Sequence, residues 1–208
     1  MVNRRDEINL DLVKRTCTMS GVSEMRCRVI LGLEHDMLFG GNQLEMNMNN
    51  HVLCDILQMT VLHLAADFKC SAELVKILLE AGADVDAVDS DQSSPLHFAS
   101  KSSSVPVVKV LLEAGADVNA LNCSQSSPLH YASKRNPAVV PVLLEAGAKV
   151  NVLDFFQRSP LFYAAGYKHE ASVVALMAAS ADPHLGESPL TSSRVSEEMK
   201  ALIKSLLK

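Results

Sequence analysis

The chain has 208 residues, 48% of them hydrophobic but only 4% aromatic, and no tryptophan; this leaves room for one or two domains yet excludes a large core of bulky side chains. A formal net charge of −5 argues against a non-specific nucleic-acid binder, which needs a positive surface. The five cysteines (Cys17, Cys27, Cys54, Cys70, Cys123) are odd in number and lack zinc-ligand spacing, no apolar run approaches membrane-spanning length, and Met1–Glu7 leads into no signal core, so free thiols and a cytoplasmic or nuclear location are expected.

In chain order, the first 59 residues are the least patterned. Ile8–Cys17 and Ser23–Leu33 read as two helices joined by Ser20-Gly21, and Met37–Asn50, with Gly40-Gly41 and four asparagines, reads as a loop. No motif there names a chemistry. From residue 60 a phrase begins to recur. Thr60-Val-Leu-His63 is followed by Ser94-Pro-Leu-His97, Ser127-Pro-Leu-His130 and Ser159-Pro-Leu-Phe162. A second phrase keeps step: Leu78-Leu-Glu-Ala-Gly-Ala-Asp84, Leu111 to Asp117 and Leu143 to Lys149. Two phrases sharing one period describe stacked copies of a small unit.

Each copy predicts two helices. Serine or threonine at the start offers a capping oxygen, and proline in the next position has no N–H to waste. Leu62, Leu96, Leu129 and Leu161 point inward, and the small pairs Ala65-Ala66, Ala99-Ser100, Ala132-Ser133 and Ala164-Ala165 permit close helix approach. The second helix carries apolar pairs one turn apart, such as Val107-Val108 with Leu111-Leu112. Ser71, Ser104 and Asn136 are expected to cap it, and Gly82, Gly115 and Gly147 to end it in a left-handed turn. Pro141 falls inside that helix in the third copy and is expected to kink it. At the C-terminus, Ser188-Pro-Leu190 reads as another first helix. Ser196-Glu-Glu198 opens a second, with Met199, Leu202, Ile203, Leu206 and Leu207 forming a stripe.

These phrases resemble ankyrin repeats, whose units run Thr-Pro-Leu-His-x-Ala-Ala and close with Leu-Leu-x-x-Gly-Ala-Asp-x-Asn. The resemblance covers residues 60–93, 94–126, 127–158 and 159–187, with 188–208 as a C-terminal capping repeat and 1–59 as a diverged N-terminal cap or helical extension with a loop at 37–50. It implies an all-α solenoid of helix-turn-helix units joined by β-turn or hairpin-like loops. It also implies a non-catalytic module that binds another protein through a concave face of loop tips and first helices. A monomer with no cofactor, no nucleic-acid ligand and no membrane insertion is expected. The alternative is a recruiting adaptor, or an inhibitory or effector protein, whose first 59 residues carry a second activity.

Carried onto this chain, the concave positions are Ile56, Leu57, Met59, Asp67 and Phe68; Ser90, Asp91, Ser93, Lys101 and Ser102; Cys123, Ser124, Ser126, Lys134 and Arg135; and Phe155, Phe156, Arg158 and Tyr167. Among them Phe68, Asp91, Lys101, Lys134, Arg135, Phe155, Phe156, Arg158 and Tyr167 are the expected contact residues. The basic groups would meet acidic residues of a partner segment, and the aromatics would receive its apolar anchors.

Other residue types imitate chemical sites. His63, His97 and His130 recur one per unit, roughly 10 Å apart for packed helices, beyond the reach of one ion with bonds of about 2 Å. By resemblance they bond within and between repeats, together with the motif residues Thr60, Ser94, Ser127 and Ser159. Ser94 and Ser127 lack the carboxylate orienter of a triad. Cys123 reads as a loop-tip thiol. Asn119 lies in a stretch (Leu111, Asp117, Val118) resembling the target of an asparaginyl hydroxylase, though a loop asparagine bonding its own turn is the simpler expectation.

Overall fold

A computed structural model describes residues 59–67, 72–102 and 105–207. Within them run nine helices: α1 (Val61–Asp67), α2 (Ala72–Glu80), α3 (Pro95–Ser102), α4 (Val105–Glu113), α5 (Pro128–Arg135), α6 (Val140–Glu145), α7 (Pro160–Gly166), α8 (Glu170–Ala178) and α9 (Glu197–Leu206). The described residues contain no strand. The expected helices at Ile8–Cys17 and Ser23–Leu33, the loop at 37–50, and the caps Ser71 and Ser104 lie outside the described residues.

Two rows of helices stack side by side. Each odd-numbered helix from α1 to α7 packs on the next odd one, and α2, α4, α6 and α8 form the second row, closed by α9. The row of first helices is held by Leu62, Leu96, Leu129 and Leu161, all with no exposed surface. Each contributes about 1.5–3 kcal/mol by leaving water. Beside them the small pairs are fully buried, which sets the close approach between consecutive first helices. In the second row Leu74 and Val75, Val107, Val108 and Leu111, Val139, Val140 and Leu143, and Val173 and Leu176 form the inward stripe. No single unit could cover both stripes, so each depends on its neighbours.

Second helices end where the chain turns left-handed, at Gly82 (φ +93°), Gly115 (+92°) and Gly147 (+86°). The following amide returns to the helix, as in Ala116 N to Leu111 O at 3.0 Å. Ser180 takes the same role with φ +66°, a conformation its Cβ opposes. Asn119 and Asn151 staple the next repeat's turn to their own: Lys149 N donates to Asn119 Oδ1 (2.7 Å) and Asp182 N to Asn151 Oδ1 (2.9 Å). Asn119 therefore bonds across the repeat boundary, beyond its own turn.

Three local expectations change. Pro141 stands in the first turn of α6, because residues 137–139 form a turn and the helix begins only at Val140. Its missing N–H would have had no helical partner there, so it removes no hydrogen bond. Asn136 ends α5 instead of capping α6; its N–H donates to Ala132 O at 2.7 Å. Ser188-Pro-Leu190 forms a turn instead of a helix. The stretch to Ser196 is too short for a helix and a connection, and its serine and threonine hydroxyls bond locally, as Ser188 Oγ does with Pro183 O (2.7 Å). Only the second helix of that last unit forms, capped by Ser196 Oγ accepting from Met199 N.

Candidate functional site

Between a second helix and the next first helix the chain forms a finger. Asp89, Asn122 and Asp154 each occupy its first position. One side-chain oxygen gathers the tip amides: Asp89 Oδ1 accepts from Asp91 N (2.9 Å) and Ser93 N (2.8 Å), Asn122 Oδ1 from Ser124 and Ser126 N (3.0 Å each), and Asp154 Oδ1 from Phe156 and Arg158 N (2.9 Å each). Each finger passes through a left-handed glutamine, Gln92, Gln125 or Gln157. Neighbouring fingers are linked tip to tip by Cys123 N to Asp91 O (2.8 Å) and Phe155 N to Ser124 O (2.9 Å).

The histidines lock fingers to helices. His63 Nε2 donates to Ser93 O (2.9 Å), His97 Nε2 to Ser126 O (3.0 Å) and His130 Nε2 to Arg158 O (3.1 Å), each reaching the following finger. Because a carbonyl only accepts, Nε2 carries the proton, and Nδ1 accepts from the amide of Thr60, Ser94 or Ser127 at 3.0–3.1 Å. The Ser94 and Ser127 hydroxyls also face Nδ1, at 2.9 Å, so their oxygen is directed to the ring more than to the helix start. Ser159, followed by Phe162 where the others have histidine, caps the Phe162 amide at 3.3 Å. Burial pushes His97 down to about 4, outweighing the Ser126 and Ala120 carbonyls and Asp89, and lowers His130 for the same reason. Both are neutral structural groups.

One face of the array combines fingers and first helices. Phe98, Tyr131 and Tyr163 follow the histidine position by one residue. Each stands edge-on to the preceding repeat's histidine, with centroids 5.4, 5.7 and 6.1 Å apart. Lys101 lies over Phe98 (5.9 Å) and Lys134 over Tyr163 (5.6 Å). Arg135 is exposed. The sequence expectations passed over these three aromatics, although their equal register, one position after His97, His130 and Phe162, was the available signal.

At the last finger Phe155 and Phe156 are 72% and 61% exposed and meet edge to face at 5.7 Å. Arg158 sits between the rings of Phe156 (5.4 Å) and Phe162 (5.2 Å) and donates through Nε to Glu187 at 2.7 Å. That hydrogen bond holds the Glu187 carboxyl below its ordinary value. Arg158 is thus a clamped cation, unlike Lys101 and Lys134. Tyr163 donates to Asp154 Oδ2 at 2.5 Å, and burial pushes its phenol up to about 12. Tyr167 is exposed and stacks on His169.

The remaining expected positions divide. Asp91, Ser90, Cys123 and Ser124 are exposed; Met59, Asp67 and Ser126 are half-buried. Ser93 and Ser102 are buried, Ser102 donating to Ala66 O at 2.9 Å across the repeat boundary, which removes both from the surface. Ile56, Leu57 and Phe68 lie outside the described residues. Among the described residues no cluster of histidine, cysteine or acidic groups could hold a metal ion, and no helix is long and apolar enough to cross a membrane.

The family model for ankyrin repeats matches three times, over residues 35–122, 62–154 and 116–187. The chain belongs to the ankyrin repeat family. Ankyrin repeats generally mediate protein–protein interaction and are typically non-catalytic. No curated protein matches the chain.

Proposed function

We propose that the face of fingers and first helices holds a segment of a partner protein that carries acidic residues between apolar anchors. The observation that carries this reading is the exposed Phe155–Phe156 pair, two large rings at a loop tip that bury little within the chain itself. Lys101, Lys134 and Arg135 lie on the helical part of the same face, where charge would steer the encounter while the aromatics supply most of the affinity. Asp91 and Tyr167 border the two ends of this track. Arg158 acts differently: pinned by Glu187, it stiffens the Phe156 platform.

The test is affinity capture with the intact chain, a Phe155→Ala/Phe156→Ala variant and a Lys101→Glu/Lys134→Glu/Arg135→Glu variant. A partner retained by the intact chain and lost from both variants supports the reading. A partner retained equally by all three contradicts it.

A further inference from the structure

The three fingers among the described residues are built alike but are not satisfied alike. In the two later ones the second side-chain atom of the first residue finds a tyrosine nine positions on. Asp154 Oδ2 accepts from the Tyr163 hydroxyl at 2.5 Å, and Asn122 Nδ2 donates to the Tyr131 hydroxyl at 2.9 Å and to Ser93 Oγ at 3.1 Å. In the earliest finger the corresponding residue is Phe98, which has no hydroxyl. Asp89 Oδ1 is committed to the tip amides, and among the described residues none donates to Oδ2. Asp89 as a residue is only 6% exposed, and Oδ2 is where it keeps contact with solvent. An acceptor oxygen that no group among the described residues satisfies there is open to a donor from outside.

Asp89 lines an open cleft with Asp91, Ser93, His97, Phe98, Lys101 and Tyr131. Two carboxylates face one cation there. Lys101 rests over the Phe98 ring, and among the described residues it pairs with neither aspartate. His97 has its N–H engaged with Ser126 O and offers no donor. The Phe98 and Tyr131 rings are half-buried and supply flat walls. A charge-assisted donor satisfies such an oxygen better than a neutral one, and aromatic walls suit a cation.

We infer that this cleft is a side-chain subsite for a lysine or arginine of the bound polypeptide, whose head group donates to Asp89 Oδ2 with Asp91 at the rim. The subsite rests on the reading that a polypeptide lies along this face. It gives that polypeptide a register: one basic residue at the second repeat's finger, with acidic residues continuing toward Lys134 and Arg135.

The inference is tested without the partner. The intact ¹⁵N-labelled chain is titrated with N-acetyl-arginine amide and N-acetyl-lysine amide, with N-acetyl-glutamine amide as the neutral control, and backbone amide shifts are followed by NMR. Saturable shifts are expected at residues 89–101 and at Tyr131 with at least one cationic probe, and weaker ones with the neutral probe. Asp89→Asn preserves the finger, as Asn122 does naturally, and is expected to weaken probe binding about tenfold, the worth of one charge-assisted hydrogen bond. Phe98→Tyr, which supplies the hydroxyl internally as in the later repeats, is expected to do the same. Shifts that fail to localise, that match those of the neutral probe, or that persist unchanged in both variants overturn the subsite. Such a failure leaves the Phe155–Phe156 capture result standing, so the two readings fail separately.

Discussion

Acidification should unlock the array through His97. The ring is buried, its Nδ1 accepts the Ser94 amide at 3.0 Å, and its Nε2–H is spent on Ser126 O. Protonation would place a second N–H against the Ser94 N–H, inside a site that also disfavours charge. The pKa falls from the ordinary 6.5 to about 4 in the folded chain. A folded-state value below the unfolded one means that the unfolded chain binds the proton first. The His97 contribution is therefore fully present above pH 6.5 and is lost as pH falls toward 4. Each tenfold change in proton affinity is worth about 1.4 kcal/mol, so the fall from 6.5 to about 4 corresponds to about 3 kcal/mol, and His130 acts in the same direction. Urea denaturation followed by circular dichroism from pH 7.5 to 4 measures it. The wild-type chain should lose about 3 kcal/mol more over this interval than His97→Gln, whatever the variant's stability at neutral pH. Equal losses in the two chains would refute the assignment of His97 as a neutral, buried clamp.

Other substitutions probe the packing. Ser100 and Ser133 each bury a hydroxyl with no partner where the other repeats have Ala66 and Ala165, so Ser100→Ala and Ser133→Ala should each raise stability by about 1 kcal/mol in urea denaturation. Ser180→Gly should raise stability by about 0.5–1 kcal/mol in the same assay, since glycine accepts φ +66° without strain but costs some unfolded-state entropy. Gly186→Ala should lower it by about 2–3 kcal/mol, because a Cβ there would collide with Gln157 O, a backbone atom with little room to move, at φ +64°. Leu129→Ala should cost about 2–5 kcal/mol through the cavity left between first helices.

The repeat architecture was legible because it is written several times over. Leu96 and Leu129 recur with their serine, proline and histidine in register, and Gly82, Gly115 and Gly147 mark each helix end. What the period could not show is how local neighbours reassign a residue. Asn136 and Pro141 match their repeat positions by count, yet Pro137 and Pro141 together delay α6 until Val140. Ser188-Pro-Leu190 repeats the motif but lacks the length behind it. The surface was harder still. Phe155 and Phe156 stood out as apolar residues at a tip, whereas Arg158 looked like a free cation until Glu187, 29 residues on, was seen to hold it. The Asp89 Oδ2 left unpaired among the described residues follows from Phe98, which stands where Tyr131 and Tyr163 later reach the residue nine positions before them; a difference of one hydroxyl carries no mark in the repeat period.

The most direct test of the interaction face is hydrogen–deuterium exchange on the complex with a partner obtained by affinity capture. Slowed exchange in the fingers and first helices, over residues 89–102, 122–135 and 154–167, with little change in α2, α4, α6 and α8, is the predicted outcome. Protection concentrated on the second-helix row, with the Phe155–Phe156 finger exchanging as fast as in the free chain, would contradict the account.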